Sequence, residues 1–152
     1  MRVLFVCLGN ICRSPLAEGI FRRQLEQKDL RAFIDSAGTG GWHSGESPDR
    51  RSIKIAASKG IDISGQKARK VNDEDPLLFD FIFAMDRSNY KDLKQLWGKQ
   101  AENKLHLFLE FAGMGHADVP DPWHGDEQDF EAVYDLIDTA CQKAISKLLK
   151  NN

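Results

Sequence analysis

The chain has 152 residues, a length that suits one domain with a substantial hydrophobic core and no need of disulfides. Its charged residues, 29% of the chain, nearly cancel to a formal net charge of -2, which excludes binding to nucleic acid or anionic lipid through overall charge. The first apolar run, Val3 to Leu8, is too short for a signal peptide or a membrane span. Three cysteines, an odd number, favour reduced thiols in the cytoplasm over a disulfide framework.

The predicted elements alternate between apolar strands and helices with start and stop signals. In chain order they are a strand at Val3–Cys7, a helix from Ser14-Pro15 through Leu25, a strand at Ala32–Ala37, a helix from Ser47-Pro48 to Gly60, a strand at Phe79–Met85, a helix from about Ser88 to Trp97, a strand at Leu105–Leu107 and a helix along the apolar stripe from Phe130 to Leu148. A mobile glycine-rich loop is predicted at Gly38–Gly45. The alternation predicts one α/β domain over residues 1–152, with an open, four-stranded, mostly parallel sheet and helices on both faces.

The loop after the first predicted strand, Cys7–Arg13, has the residues of an anion site. In an open parallel sheet, ligands bind beyond the carboxyl ends of the strands. Gly9 and Asn10 accept positive φ, so we expect the N–H groups of this loop to turn inward at a helix N-terminus, where a phosphate dianion binds well. Those donors would also stabilise a thiolate at Cys7, and Arg13 would hold two phosphate oxygens.

Covalent, metal-free phosphoryl transfer is the chemistry that this loop indicates. A nucleotide-binding loop would need a Gly-Lys-Ser/Thr signature, which is absent here. The histidines lack the spacing of a zinc site, and the acidic residues between Asp118 and Asp129 lack the order of a calcium loop. We therefore expect neither a metal nor a cofactor. The alternative interpretation is a small buried cysteine beside a surface arginine.

The segment Cys7-Leu8-Gly9-Asn10-Ile11-Cys12-Arg13-Ser14-Pro15 resembles the signature loop of the low-molecular-weight protein tyrosine phosphatases. The similarity covers nearly the whole chain, through four further motifs: Asp35–Thr39, Lys67–Arg69, Met85-Asp86 and Asp121-Pro122. The resemblance implies that the protein hydrolyses phosphotyrosine in proteins through a cysteinyl-phosphate, with inorganic phosphate as product. The implied partners are phosphotyrosine-containing proteins, with an autophosphorylating tyrosine kinase as a candidate, and the expected state is a monomer with weak self-association.

The resemblance also implies roles for single residues. Cys7 would be the nucleophile, and Asp121 would protonate the tyrosine oxygen and then, as a carboxylate, activate water. An Asp-Pro pair by itself indicates only a turn. Ser14 would hydrogen-bond the Cys7 sulfur, although it fits a helix cap equally well. The loop residues expected to bind substrate beside Arg13 are Leu8, Gly9, Asn10, Ile11 and Cys12.

Three further residues have two interpretations each, and a fourth departs from the family pattern. Trp42 and Trp123 are candidate walls of a slot that stacks on a phenyl ring, or else covers of core edges. The family usually carries an aromatic residue at both positions after Asp-Pro, but the second is His124 here. Cys12 is either inert or, as in the family, able to capture Cys7 in a reversible disulfide.

Supporting residues are also implied. Asn10 and Ser36 match positions that brace the loop, and Gln66 stands where some relatives have a histidine supporting Asn10. Asp86, after the third predicted strand, is expected to be a buried or loop-bracing carboxylate.

Three alternative functions remain. An arsenate reductase on the same fold needs further cysteines, and the segment from Asp80 to Trp97 has none. Phosphoarginine phosphatases tend to have threonine at the position of Ile11. A non-catalytic phosphopeptide-binding module would need neither Cys7 nor Asp121.

Overall fold

The structure is a computed structural model that describes residues 1–151. Its elements alternate in the predicted order, with additional short helices. They are β1 (Arg2–Cys7), α1 (Arg13–Glu26), β2 (Phe33–Gly38), α2 (Arg50–Ser58), α3 (Asp75–Leu78), β3 (Phe81–Ala84), α4 (Arg87–Trp97) followed by a 3₁₀ turn (Gly98–Ala101), β4 (Leu105–Leu107), α5 (Phe108–Phe111) and α6 (Glu127–Lys150).

The four strands form a single sheet in the order β2-β1-β3-β4, and every neighbouring pair is parallel. The central strand β1 is buried on both faces, since its residues from Val3 to Val6 have no exposed surface. That burial explains why its sequence is continuously apolar rather than alternating. The prediction of a parallel α/β sheet is confirmed, and the sheet is wholly parallel.

Alternate residues of β1 point into two cores on opposite faces of the sheet. Phe5 packs with α1, α5 and α6 on one face, and its ring centroid lies 5.4 Å from that of Phe21 and 5.3 Å from that of Phe108. Leu4 packs on the other face with Leu93 and Trp97 of α4. Each fully buried side chain of this size stabilises the fold by about 1.5–3 kcal/mol. Helices therefore cover both faces, as predicted.

One strand boundary differs from the prediction, and one short helix lies outside the predicted elements. Phe79 does not belong to β3, which begins at Phe81; it follows α3, a one-turn helix with Pro76 at its start. Phe79 is nevertheless buried, so hydrophobicity alone could not separate it from the strand. Helix α5 follows β4 with no intervening loop, and its apolar residues show no separate start signal.

Two other elements begin later than the sequence indicates. Strand β2 covers Phe33–Gly38 and excludes Ala32. Helix α2 begins at Arg50 rather than at Ser47-Pro48, because the Asp49 side chain caps it by accepting a hydrogen bond from the Arg51 N–H.

The carboxyl ends of the first three strands lie at one edge of the sheet, where Cys7 is opposite Gly38 and Val6 is opposite Ala84. The Cys7–Arg13 loop leaves β1 at this edge and leads into α1. The loop between α5 and α6 reaches the same edge, because the Val119 N–H donates to the Met85 carbonyl at 2.9 Å. Among residues 1–151, no helix is long and apolar enough to cross a membrane.

Candidate active site

The backbone of the Cys7–Arg13 loop directs its carbonyls into the protein. The carbonyl of Leu8 accepts from the Gly40 N–H at 2.9 Å, and that of Ile11 accepts from the Asp49 N–H at 2.8 Å. Within the described part of the chain, the N–H groups of residues 8–13 donate to no protein acceptor. Asn10 makes the turn possible with a φ of 57°. The loop thus has the unpartnered donors that an anion site needs.

The Asn10 side chain braces this loop from below. It is only 2% exposed; its Nδ2 donates to the Ser14 and Ser36 hydroxyls at 2.8 and 2.9 Å, and its Oδ1 accepts from the Arg69 N–H at 3.0 Å. The Ser36 hydroxyl in turn donates to Glu18 at 2.8 Å. Asn10 and Ser36 therefore lie where the resemblance expects bracing residues, and Asn10 is not among the residues that line the cleft described below.

The Ser14 hydroxyl lies 3.0 Å from the Cys7 sulfur. Because this hydroxyl already accepts from Asn10, its own proton is free to be donated to the sulfur. Ser14 is not the cap of α1, since Cys12 occupies that position and no side chain caps the helix. Of the two interpretations of Ser14, the geometry supports contact with sulfur and not capping.

Arg13 is buried, and its guanidinium is fixed on one side. Its Nη1 donates to Asp86 at 2.6 Å and to the Val119 carbonyl at 2.9 Å. Burial by itself lowers the pKa of Arg13, but the negative charges of Cys7, Asp86 and Asp121 outweigh it and raise the pKa above its ordinary value. Arg13 stays charged, with its Nη2 turned toward Asp121 at 3.8 Å. Asp86 is the loop-bracing carboxylate that the sequence indicates.

The cleft above this loop has a volume of about 270 Å³. It brings together most of the predicted site residues, although they come from separate parts of the chain. Its lining consists of Cys7, Leu8, Gly9, Ile11, Cys12, Arg13, His43, Asp121, Trp123 and His124. Within residues 1–151, no group of His, Cys, Asp or Glu side chains is arranged to hold a metal ion.

Trp42 is not part of this lining, contrary to the expectation that it forms a wall. Its side chain is 72% exposed, and its ring packs over Gly40, where a Cβ would collide with it. The next residue, His43, lines the cleft instead: its ring lies against Gly9, and its centroid is 5.9 Å from that of the Trp123 ring. Sequence reasoning missed His43, and its place directly after Trp42 in the loop was the available signal.

The family model of the low molecular weight phosphotyrosine protein phosphatases matches residues 2–152. The chain belongs to this family. The predicted family is thereby confirmed, and with it the class of enzyme, a protein-tyrosine-phosphatase among the hydrolases. The alternative of a non-catalytic binding module is correspondingly disfavoured.

Individual relatives of this phosphatase match over nearly their full lengths. The low molecular weight protein-tyrosine-phosphatase YfkJ of Bacillus subtilis is 42% identical, with 97% of this chain and 96% of that protein covered. The crystal structure of a protein tyrosine phosphatase from Entamoeba histolytica superimposes with a TM-score of 0.94 at 38% identity, over 99% of this chain and 98% of that one. An arginine phosphatase from Drosophila superimposes with a TM-score of 0.90 at 30% identity, over 97% and 98%. The fold alone therefore does not select the substrate.

Two departures from the family pattern have definite places in this phosphatase. His124 lines the cleft together with Trp123. Among the described residues, Gln66 makes no hydrogen bond to Asn10; its Nε2 donates to the Pro15 carbonyl at 3.1 Å instead. The support of Asn10 in this chain therefore comes from other groups.

All three cysteines of the phosphatase are free thiols. Burial raises the pKa of Cys12, and the nearby charge of Asp49 raises it further. Burial also raises the pKa of Cys141, which lies on the buried face of α6. Cys7 and Cys12 line the same cleft, and their reversible disulfide stays a prediction.

Proposed function

We propose that this phosphatase hydrolyses phosphotyrosine in proteins, through a cysteinyl-phosphate on Cys7. The observation that carries the proposal is the convergence of Cys7, Arg13 and Asp121 on one cleft whose loop has unpartnered N–H groups. A nucleophile, a fixed cation and a carboxylic acid are the groups that an aryl phosphate needs for covalent transfer.

In the first step, the Cys7 thiolate attacks phosphorus as the bond to the tyrosine oxygen breaks. The loop N–H groups and Arg13 Nη2 hold the non-bridging oxygens, whose charge is redistributed in the transition state. Asp121 gives its proton to the departing oxygen, so tyrosine leaves as a neutral phenol. Asp121 has the access that this requires, because its side chain is 45% exposed at the cleft.

In the second step, a water molecule attacks the phosphorus of the cysteinyl-phosphate. Asp121, now a carboxylate, accepts the proton of that water, and the S–P bond breaks to release inorganic phosphate. The Ser14 hydroxyl, 3.0 Å from the sulfur, donates a hydrogen bond to the thiolate that forms. The sulfur therefore leaves without taking up a proton.

An aromatic wall formed by His43 and Trp123 favours a flat aromatic ester over phosphoserine. The centroids of the two rings lie 5.9 Å apart, so the rings pack together at the cleft, and a phenyl ring can pack against them whereas a serine side chain cannot. Ile11 adds an apolar side chain to the lining. The preferred substrates would be phosphotyrosine-containing proteins, including an autophosphorylating tyrosine kinase. The enzyme would act on them as a monomer in the cytoplasm, where thiols stay reduced.

A panel of phosphotyrosine, phosphoserine and phosphoarginine peptides, hydrolysed in the presence of a chelator, tests the proposal. Only the phosphotyrosine peptide is expected to be turned over efficiently, and the chelator is expected to leave its rate unchanged. Phosphate release is the measurement. A preference for phosphoarginine would contradict the proposed substrate, and loss of activity with the chelator would contradict a metal-free mechanism.

Iodoacetamide at neutral pH is expected to modify Cys7 before the other two cysteines. Because burial raises the pKa of Cys12 and of Cys141, each holds less thiolate than an ordinary thiol at a given pH, and their modification begins only at more alkaline pH. Peptide mass spectrometry over a pH series measures this order. The adduct at neutral pH should disappear in Cys7→Ser; an adduct on Cys12 appearing first would contradict a thiolate at Cys7.

A further inference from the structure

We propose that Arg87 and Arg51 are positioning residues, which hold the segment that bears Asp121 from its two sides. This inference rests on the proposed function, in which Asp121 donates the proton to the leaving group. Each arginine lies in the first turn of a helix, Arg87 in α4 and Arg51 in α2, so both act from rigid elements.

Asp121 needs such support because its own contacts are few. No helix or strand lies between α5 and α6, so no regular element fixes this segment. The Asp121 carboxylate accepts from the Trp123 N–H at 3.1 Å and lies 3.8 Å from Arg13. Proton transfer requires a donor oxygen within roughly 2.6–3.2 Å of the departing oxygen, so the position of the whole segment matters.

Arg87 holds the segment on the amino-terminal side, through Asp118. Its backbone N–H and its Nε donate to Asp118 Oδ1 at 2.8 and 3.1 Å, and its Nη2 donates to Oδ2 at 3.2 Å. The hydrogen bonds from Arg87 hold the pKa of Asp118 below its ordinary value, so the pair stays ionised at neutral pH. The next residue, Val119, bonds to Arg13 and Met85. Asp118 and Val119 thus fix the chain just before Asp121.

Arg51 holds the segment on the carboxyl-terminal side. Its Nη2 donates to the Trp123 carbonyl and its Nη1 to the Gly125 carbonyl, both at 3.1 Å. Its guanidinium is oriented by Asp49, which accepts from Nε and from Nη2 at 3.0 Å, and it lies 4.3 Å from the centroid of the Phe130 ring. A planar fork is needed for these simultaneous contacts, and lysine could not make them.

Comparing two substrates with different leaving groups distinguishes an effect on the position of Asp121 from a general effect on folding. A poor leaving group, as in phenyl phosphate, depends on the proton from Asp121, whereas p-nitrophenolate leaves with little need of it. We expect Arg87→Gln to lower kcat/KM about fivefold for phenyl phosphate and less than about twofold for p-nitrophenyl phosphate. Arg51→Gln is expected to show the same difference between the two esters.

Lys91→Gln is the matched control, because Lys91 is exposed on the same helix as Arg87 and forms no ion pair among the residues that the structure describes. It should leave both rates unchanged. A double-mutant cycle of Arg87→Gln with Asp118→Asn completes the test. Both substitutions remove the same Arg87–Asp118 interaction. The double variant should therefore hydrolyse phenyl phosphate no more slowly than the slower of the two single variants.

The outcomes are distinguishable. Equal losses on the two esters, or effects of Arg87→Gln and Asp118→Asn that multiply, would overturn the positioning role and leave the proposed function intact. A parent enzyme that hydrolyses neither ester would overturn the proposed function itself.

Discussion

Replacing Cys7 with serine is expected to abolish hydrolysis of aryl phosphates, by roughly 10⁴-fold or more, while inorganic phosphate still binds. A serine hydroxyl is not ionised at neutral pH and so does not replace the thiolate as a nucleophile. The loop N–H groups and Arg13, which would hold the phosphate, are unchanged by the substitution. The measurements are steady-state rates with p-nitrophenyl phosphate and phosphate affinity by calorimetry.

Cys141→Ala provides the matched control for loss of a thiol. Cys141 lies on the buried face of α6 and does not line the cleft, so this variant should keep the parent rate if it folds, which a thermal melt establishes. Hydrolysis by Cys7→Ser at the parent rate would rule out the cysteinyl-phosphate. Loss of phosphate binding in Cys7→Ser would contradict an anion site formed by the loop itself.

The second large effect is expected for Asp121→Ala. Without the proton donor, the rate for phenyl phosphate should fall about 10²- to 10⁴-fold, because the tyrosine-like oxygen would have to leave as an anion. The rate for p-nitrophenyl phosphate should fall much less. A series of aryl phosphates with graded leaving groups measures this, as a steeper dependence of kcat/KM on the leaving group in the variant.

Asp126→Asn is the control from the same loop. The Asp126 side chain caps α6 by accepting from the Gln128 and Asp129 N–H groups, and asparagine caps helices about as well. This variant should therefore follow the parent across the series. An unchanged slope in Asp121→Ala would show that another group donates the proton.

The sequence predicts the sheet and the long helices because their signals are local. A continuous apolar run identifies β1, and the spacing of apolar residues from Phe130 to Leu148 identifies α6. Both patterns are visible in the sequence because these apolar side chains are buried in the fold. The one-turn helices α3 and α5 could not be predicted, since four residues are too few to show a helical period.

The candidate site likewise contains residues that the local sequence predicts and residues that only the fold brings to the cleft. The groups of the Cys7–Arg13 loop are predictable because they are adjacent in sequence and follow a strand. The path of the loop after β2 determines that His43, and not Trp42, faces the cleft. Hydrogen bonds from the Thr39 and Gly40 N–H groups to the Cys7 and Leu8 carbonyls fix that path. No local pattern encodes that path.

The contacts of Arg87 and Arg51 with the Asp121 segment also cannot be predicted from the sequence. Arg87 and Asp118 are 31 positions apart, and the carbonyls that Arg51 reaches belong to the backbone, which carries no sequence signal. Such pairings follow from the assembled fold rather than from any motif.

Hydrogen bonds link Glu18 to Ser36, Ser36 to Asn10 and Asn10 to Ser14. These bonds are all formed within the protein and need no ligand. The conformational entropy of the anion cradle is therefore lost during folding and not at each encounter with a phosphoprotein. We therefore expect that rearrangement of the Cys7–Arg13 backbone does not limit the rate at which phosphate binds to it.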